Sequence, residues 1–215
     1  MSALYAKKVR ALLSKDQRHI FLRLNSPHKI QTFLYSISIN FEDDIETNHS
    51  PASVLKFKKA HCFEGAVLAA AIMAYHSQKP LLMDFVTAYD DEDHTVALFK
   101  KNGLWGAISK TNHVVLRYRD AVYRTPRELA MSYFHEYFMW DGRKSLRAYC
   151  EPFDVSQYEP ARWITSSESL DWLMVALSKS RYHPVASKRV LRHLRLASPI
   201  ERQSLRLTEW KKKKV

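Results

Sequence analysis

The segment CFEGAVLAAAIMAYH (residues 62–76) constrains the fold more than any other part of the chain. It is rich in alanine and apolar nearly all round, with polar residues only near its beginning and its end. A helix without a polar face has to be enclosed by other elements. The sequence therefore predicts a buried helix at the centre of the core.

Strand patterns follow this helix. PLLMDFV (80–86) is typical of a buried strand, and HTVALF (94–99) and LWGAIS (104–109) flank the turn sequence KKNG (100–103). An Asn-Gly pair between two such runs predicts an antiparallel hairpin. KSLRAYC (144–150) is a further strand candidate.

Helix start signals lie on both sides of these strands, where a capping residue precedes a helical pattern. The predicted helices are residues 2–15, those opened by Ser26-Pro27 and Ser50-Pro51, one from Thr125 through Phe138, and one from Ser167 through Leu177. The predicted order is a set of helices, one central buried helix, and then a run of antiparallel strands with further helices. This order is typical of the α+β class.

Composition excludes several classes of site. The chain of 215 residues has only four glycines, and their spacing fits neither a G-x-G-x-x-G turn nor a P-loop. Its two cysteines, Cys62 and Cys150, form neither a disulfide framework nor a C-x-x-C motif. We therefore expect no nucleotide site of those kinds and no cysteine-based zinc motif.

Location can also be predicted. The N-terminal residues are charged throughout and lack the apolar core of a signal peptide. The longest apolar run, residues 66–75, is too short to span a bilayer. Cysteines without a disulfide pattern suit a reducing compartment. We expect a cytoplasmic protein with no transmembrane segment.

The net charge of +12 is concentrated towards the C-terminus. Residues 179–215 contain twelve Lys and Arg and two acidic residues, whereas residues 1–178 are nearly neutral. The sequence thus predicts a domain over 1–178 and a basic C-terminal extension over 179–215. Such an extension is suited to binding nucleic acid or another acidic partner, or to forming a solvated surface.

Cys62 and His94 are the candidate catalytic pair. Cys62 begins the buried helix, where the helix dipole and unpaired backbone N–H groups favour the nucleophilic thiolate. The same N–H groups can stabilise an oxyanion. His94 begins the second strand, directly after the acidic run Asp90–Asp93, and is a candidate base. We interpret Cys150 as structural.

In combination, these parts resemble the transglutaminase-like branch of the papain-type cysteine proteases. The resemblance covers about residues 50–112 and depends on SPASVLKFKKAHCFEGAVLAAAIMAYHSQKP, DEDHTVALFKKNGLWGAIS and the distance between them. It implies a papain- or transglutaminase-like fold, with the central helix packed on an antiparallel sheet. It also implies acyl transfer from an amide or ester to Cys62, with His94 as base and no cofactor.

The sequence departs from the family pattern at two positions. His61 precedes the cysteine where the family usually has glycine, and Ser109 stands where the family carries an aspartate. A two-residue Asn-Gly turn would place Ser109 diagonal to His94 on the same face of the sheet. Asn112 has the opposite parity but stays an alternative third member, since asparagine takes that role in papain-like enzymes.

Two kinds of function follow from these residues. The first is a cysteine enzyme acting on a peptide, isopeptide or other amide, by hydrolysis rather than cross-linking, because water is always available. The second is a catalytically weak or inactive interaction protein on the same fold, whose basic extension binds nucleic acid or an acidic partner. The absent aspartate favours the second, and the presence of Cys62 and His94 favours the first. A plain nucleic-acid-binding protein is a third alternative.

Overall fold

The computed structural model describes residues 3–41, 47–88 and 91–212. The helices in these ranges are α1 (Ala3–Leu12), α2 (Lys15–Arg23), α3 (Pro27–Ser36), α4 (Pro51–Phe57), α5 (Cys62–Tyr75), α6 (Pro126–Met131), α7 (Pro160–Ile164), α8 (Asp171–Ser178), α9 (Lys188–Leu191) and α10 (Pro199–Gln203). The strands are β1 (Ser38–Ile39), β2 (Lys59–Ala60), β3 (Leu81–Val86), β4 (His94–Lys101), β5 (Leu104–Ile108), β6 (Arg119–Tyr123), β7 (Ala148–Cys150), β8 (Phe153–Asp154) and β9 (Tyr182–Pro184).

Strands β3 to β9 form one antiparallel sheet in the order β6-β5-β4-β3-β7-β9, with β8 also paired to β3. The short strands β1 and β2 form a separate parallel pair. Helix α5 packs on β3 and β4 and also contacts α1, α3 and α4. The α+β class, with a helix packed on an antiparallel sheet, is confirmed.

Helix α5 is enclosed over almost its whole length. Every residue from Phe63 to Ala74 is buried, and the helix begins at Cys62 as the sequence predicts. Its many alanines have small side chains, which let the sheet and the neighbouring helices come close to its axis. The N-terminus of the helix reaches the edge of the core, where Cys62 is partly exposed.

The β4–β5 hairpin has the predicted register. Asn102 and Gly103 both have positive φ, at 52° and 81°, which is the conformation of a type I′ turn. Pairing runs from Lys101 opposite Leu104 to Ala97 opposite Ile108. One further step along the same register places Ser109 beside the start of β4.

Two helices predicted in the second half of the chain are wrong in extent. The helix that Thr125 opens ends at Met131, and a short 3-10 turn, Phe134–Glu136, follows. The aromatic side chains of this stretch are buried, but the backbone that carries them is irregular rather than helical. The helix predicted from Ser167 begins at Asp171, because the Ser166 hydroxyl accepts the N–H of Glu168 in a local turn before it.

The helix predicted over 2–15 is confirmed as α1, and a second helix, α2, follows it that the sequence analysis did not predict. Helix α1 ends at Leu12, and Ser14 forms a reciprocal capping box with Gln17 that starts α2. In the second half, the strand predicted over 144–150 covers only its last three residues. The polar sequence FEDDIETNH (41–49) predicts a loop, and its residues 42–46 lie outside the described part.

Residues 180–212, the described chain after Lys179, pack against the rest of the protein. Strand β9 pairs with β7 at the edge of the sheet, and Val185 and Ala197 are buried. The backbone of Glu209 hydrogen bonds with that of Asn112. The division into two regions stays a prediction, but the extension is in contact with the sheet from its first residues. In the described ranges no helix has the length and apolar character needed to cross a membrane.

Gly65 lets the end of the hairpin approach the first turn of α5. A Cβ atom at this position would lie only 2.4 Å from the Cβ of Lys110, which follows Ser109. The Lys110 side chain is wholly buried, and its ammonium donates to the carbonyl oxygens of Leu34, at 2.9 Å, and Ile37. This contact fixes α5, the end of β5 and the C-terminus of α3 relative to each other.

Replacing Gly65 with alanine is therefore expected to lower the free energy of unfolding by about 1–3 kcal/mol, since the added methyl group collides with Lys110. Alanine within a helix otherwise stabilises by about 0.5–1 kcal/mol, so a net loss is diagnostic of the contact. Urea unfolding followed by circular dichroism measures it. Gly103→Asn is the control, because nothing lies within 4 Å of a Cβ there and asparagine tolerates positive φ. Unchanged or raised stability for Gly65→Ala would contradict the contact.

Candidate active site

Cys62, His94 and Ser109 meet where α5 begins and the β4–β5 hairpin ends. Cys62, His61 and His94 line the same cavity, both imidazoles interact electrostatically with the Cys62 thiol, and the thiol donates to the carbonyl oxygen of Asp93 at 4.0 Å. His94 is buried and is the first residue of β4, opposite Phe85 of β3. The helix and the hairpin thus bring a thiol and an imidazole into contact across 32 residues of sequence.

The surroundings of Cys62 favour its thiolate. Burial opposes ionisation, but the hydrogen bonds from His61 and His94 and the charges of the two rings outweigh it and hold the pKa of Cys62 well below that of an ordinary thiol. The N–H groups at the start of α5 act in the same direction. Cys62 is therefore suited to act as a nucleophile.

The hydrogen bonds of Ser109 determine which nitrogen of His94 carries its proton. The Ser109 hydroxyl donates its single hydrogen to the carbonyl oxygen of Leu116, at 2.5 Å. It lies 2.8 Å from Nε2 of His94 and must accept there, so Nε2 carries a hydrogen. The neutral His94 ring then has its unprotonated nitrogen, Nδ1, available to Cys62. Ser109 fixes the tautomer that a general base for the thiol needs.

Ser109 is itself held in place from two sides. The side-chain amide of the buried Gln31 bonds both backbone groups of Ser109, accepting from its N–H at 2.9 Å and donating to its carbonyl at 2.7 Å. Leu116 adopts a positive φ of 59°, and its N–H donates to Glu136 at 2.7 Å. Arg119 in turn donates to that carboxylate, at 2.6 Å.

Asn112 does not contact His94. Its side-chain amide donates to the backbone carbonyl of Trp210 at 3.1 Å and accepts from the backbone N–H of Trp210 at 2.8 Å. The strand therefore needs no bulge to explain the position of Ser109, and Asn112 instead attaches the C-terminal segment to the domain. Of the two predicted third members, the structure places Ser109 at the imidazole.

His61 contributes a second imidazole to the site. It is the residue before α5, and its Nε2 lies 2.6 Å from the carbonyl oxygen of Thr47. Burial opposes its charge, but the hydrogen bond with Cys62 and the negative charges of Cys62 and Glu64 raise the pKa of His61 to about 9. From the sequence we recognised His61 only as a departure from the family pattern and a neighbour of Cys62.

The side chains of His61, Cys62 and His94 line a cavity of about 540 Å³, whose wall also includes Tyr137, His113 and Leu205. The Tyr137 hydroxyl is buried and has no hydrogen-bond partner among the described residues. A larger groove of about 680 Å³, between α2 and α3, contains neither cysteine. No three His, Cys, Asp or Glu side chains converge on a possible metal site in the ranges that the structure covers.

The second cysteine has a different environment. Cys150 is fully buried in β7, its sulfur accepts the N–H of Asp84 at 3.1 Å, and burial raises its pKa to about 12. In the acidic run, Asp90 lies outside the described residues. Asp93 accepts hydrogen bonds from the backbone and hydroxyl of Thr87, and Asp91 accepts one from Ser145.

Gln31, Glu64 and Tyr137 were missed by sequence reasoning. Glu64 had a usable signal, because a charged residue inside a helix expected to be enclosed has to find buried partners. Gln31 had a weaker one, as a polar residue next to Ile30 on the apolar face of α3. Tyr137 lies in the aromatic-rich run 133–140, whose composition predicts packing in the core, and its side chain is buried.

Comparisons with known proteins add no relative. A scan against protein-family models finds no match for this chain, and a search of curated proteins finds none either. The geometry of the site therefore carries the functional argument.

Iodoacetamide is expected to alkylate Cys62 selectively in the native protein. The lowered pKa keeps Cys62 ionised at pH values below about 8.5, where an ordinary thiol loses its thiolate. The buried Cys150, with its raised pKa, is expected to react only after denaturation. Peptide mass spectrometry at a series of pH values measures both rates, with Cys62→Ser and Cys150→Ser as controls. Equal labelling of the two cysteines would contradict the site.

Proposed function

We propose that this protein is a cysteine enzyme of the transglutaminase-like, papain-type class that cleaves an amide or isopeptide bond through an acyl-Cys62 intermediate. The observation that carries this proposal is the Cys62–His94–Ser109 arrangement, in which a thiol of lowered pKa contacts an imidazole whose far nitrogen is fixed. The order of a buried helix, a strand and a histidine at the start of the next strand supports the same fold assignment.

In the simplest mechanism, Nδ1 of His94 takes the thiol proton and the Cys62 sulfur bonds to the substrate carbonyl carbon. The oxyanion accepts hydrogen bonds from backbone N–H groups at the start of α5. The carbon–nitrogen bond then breaks, and His94 returns the proton to the leaving amine. In the second half water attacks the thioester and gives its proton to His94, the carbon–sulfur bond breaks, and His94 returns the proton to the Cys62 sulfur.

Ser109 has the orienting part of the role that an aspartate has in the family. Its oxygen accepts from Nε2 and holds the tautomer, but a neutral hydroxyl does not supply the charge that stabilises an imidazolium. The network through Gln31 and Leu116 supports Ser109 as a position-determining residue. Hydrolysis is favoured over cross-linking because water needs no binding site of its own. Free cysteines also support a cytoplasmic location.

A second candidate function is supported by the exposed bases of the C-terminal part. Lys188, Arg189 and Arg192 are exposed on and beside α9, and the extension as a whole is strongly basic. Clustered bases bind polyanions by releasing counterions. This surface suits an interaction protein that binds nucleic acid or another acidic partner, with or without a working thiol.

The enzyme proposal predicts that p-nitrophenyl acetate, an activated ester, acetylates Cys62. We expect a burst of one nitrophenolate per protein, followed by slower turnover, because deacylation needs water. Turnover is expected to fall at least about 100-fold in His94→Ala and about 10-fold in Ser109→Ala, with little change in Asn112→Ala. Nitrophenolate absorbance gives the rates, and mass spectrometry locates the acetyl group.

Cys62→Ser is the control for this experiment, and Cys150→Ser should acetylate normally. The proposal is contradicted if Cys62 of the native protein is acetylated no faster than Cys62 of the denatured protein. The assignment of Ser109 fails if Asn112→Ala has the larger effect on turnover.

The interaction proposal predicts binding to a short DNA duplex that weakens steeply as salt is raised. A variant with Lys188→Glu, Arg189→Glu and Arg192→Glu should bind several-fold more weakly, whereas Cys62→Ser should bind as the parent does. Fluorescence anisotropy at two salt concentrations measures both. Binding that does not change with salt or with the three substitutions would exclude this surface.

A further inference from the structure

The C-terminal part of the chain forms one side of the catalytic cavity. Leu205 lies in the wall of the cavity that Cys62 and His94 line. Two other stretches of that wall, within residues 110–116 and 136–140, are bonded to the chain on either side of Leu205. We call residues 198–210, which join these two stretches, the strap.

The far end of the strap forms a short antiparallel ladder with the chain that follows β5. The N–H of Val114 donates to the carbonyl oxygen of Leu207 at 3.2 Å. The N–H of Glu209 donates to the carbonyl oxygen of Asn112 at 2.8 Å. The side chain of Asn112 also bonds both backbone groups of Trp210. This end of the strap is therefore held by hydrogen bonds to the backbone.

The near end of the strap starts from a firmly packed residue. Ala197 is buried, and its N–H donates to the carbonyl oxygen of Gly142 at 2.8 Å. A Cβ atom at Gly142 would lie only 2.8 Å from the carbonyl oxygen of Ala197, so the two segments are in close contact. Just beyond, Arg202 of α10 donates to the carbonyl oxygen of Trp140 at 3.2 Å.

Both acidic residues of the C-terminal extension lie in the strap and pair with bases outside it. Glu209 lies 3.3 Å from Arg117, and Glu201 lies 4.0 Å from Lys144. One pair is near each end of the strap, and all other charged residues of the extension are basic. The two acids thus hold a basic segment against the cavity, through partly exposed ion pairs of a kind that contributes little to stability.

No residue of the strap is buried. Beyond Ala197, residues 198–212 are all partly or fully exposed, so backbone hydrogen bonds and ion pairs hold the segment in place of apolar packing. A segment with few buried apolar contacts opens locally at a low free energy, while the rest of the protein stays folded. The strap is therefore able to leave the cavity by movement about Ala197.

We propose that the strap determines which substrates reach Cys62. This proposal rests on the proposed function and names its substrate class. With the strap in place the cavity has a volume of about 540 Å³, the size of a pocket for a small molecule. A small amide, or an amide at the end of a chain or of a side chain, fits this space. A bond in the middle of a polypeptide needs room on both sides, so it reaches Cys62 only after the strap has moved away.

The test compares a small and a bulky thiol reagent, iodoacetamide and fluorescein maleimide, in a Cys150→Ser background. Each rate at Cys62 is divided by the rate in the denatured protein, which removes the intrinsic reactivity of the reagent. We expect this normalised rate to be at least about tenfold lower for the maleimide than for iodoacetamide, because only the open form admits it. Peptide mass spectrometry confirms that the label is on Cys62.

Glu201→Gln combined with Glu209→Gln removes both ion pairs of the strap and keeps the size of the side chains. The maleimide rate is expected to rise about three- to tenfold in this variant, while the iodoacetamide rate stays within about twofold. Glu159→Gln combined with Glu168→Gln is the matched control. These residues are exposed, they lie outside the strap and the wall of the cavity, and the control also loses one exposed ion pair. It should change neither rate.

A disulfide across the ladder tests the strap in the opposite direction. His113 and Thr208 lie opposite each other, and the two bonds that flank them make a non-hydrogen-bonded pair, whose Cα atoms are about 4.5 Å apart. A disulfide spans this distance. Once oxidised, His113→Cys combined with Thr208→Cys is expected to slow the maleimide at least about tenfold further, and reduction should restore the rate. Peptide mapping checks that the two introduced sulfurs are joined and that Cys62 is free.

Leu205 is the residue of the strap that lines the cavity, so its size should affect the choice of substrate. Leu205→Ala is expected to raise kcat/KM for p-nitrophenyl octanoate at least about threefold relative to p-nitrophenyl acetate, because the cavity gains room for the longer acyl chain. Leu207→Ala is the control, since Leu207 lies on the same segment but is exposed and is not part of the wall. It should leave this ratio unchanged.

Equal normalised rates for the two reagents in the parent protein would overturn the proposal, because the cavity would then not be confined. So would a maleimide rate that neither the glutamate substitutions nor the disulfide changes. If the introduced cysteines do not join, the glutamate variant and its control decide alone. The thiol reagents measure access to Cys62 whether or not the protein turns over an ester. Failure of acetylation in the parent protein is therefore a separate result, which contradicts the enzyme function itself.

Discussion

The enclosure of α5 is the constraint on which the rest of the structure depends. Its side chains from Phe63 to Ala74 are all buried, so the sheet and the helices α1, α3 and α4 have to pack around it. A helix leaves the N–H groups of its first turn without partners inside the helix. In this protein that turn also carries Cys62 and Glu64, and polar groups therefore collect where α5 leaves the core.

The hairpin is fitted to that turn by one small residue and one buried amine. Without a side chain at Gly65, Lys110 packs directly on α5, and the bonds from its ammonium to the end of α3 compensate for its burial. Ser109, one residue earlier, is thereby set beside His94. A left-handed leucine costs about 1–2 kcal/mol, and at Leu116 the charged Glu136 offsets this cost through the backbone N–H. The position of the serine is thus determined by the fold around it.

The parts of the site that the sequence predicted are those specified by local patterns. The apolar run of α5 and the Asn-Gly turn predicted that Cys62 begins the helix and that His94 begins β4. The same turn predicted the pairing register that places Ser109 beside His94. Gln31 and Glu136 could not be predicted in their roles, because Gln31 bonds to a residue 78 positions away and Glu136 acts on the backbone of Leu116. The helix predicted through Phe138 is too long for a related reason. Its aromatic side chains are buried although the backbone that carries them is irregular, and the spacing of apolar residues in the sequence does not distinguish such a segment from a helix.

The electrostatics of the site depend on where the buried carboxylate of Glu64 is placed. Removing one partner from a buried ion pair costs about 3–5 kcal/mol, which is a large share of the stability of a typical domain. Glu64 and the groups that hydrogen bond with it are therefore held together for reasons of folding as well as chemistry. A carboxylate at position 109 would place that constraint on His94 instead. With serine there, the hairpin orients the His94 ring through a neutral hydroxyl, and the buried carboxylate lies on the side of the thiol that faces α5 and the loop before it.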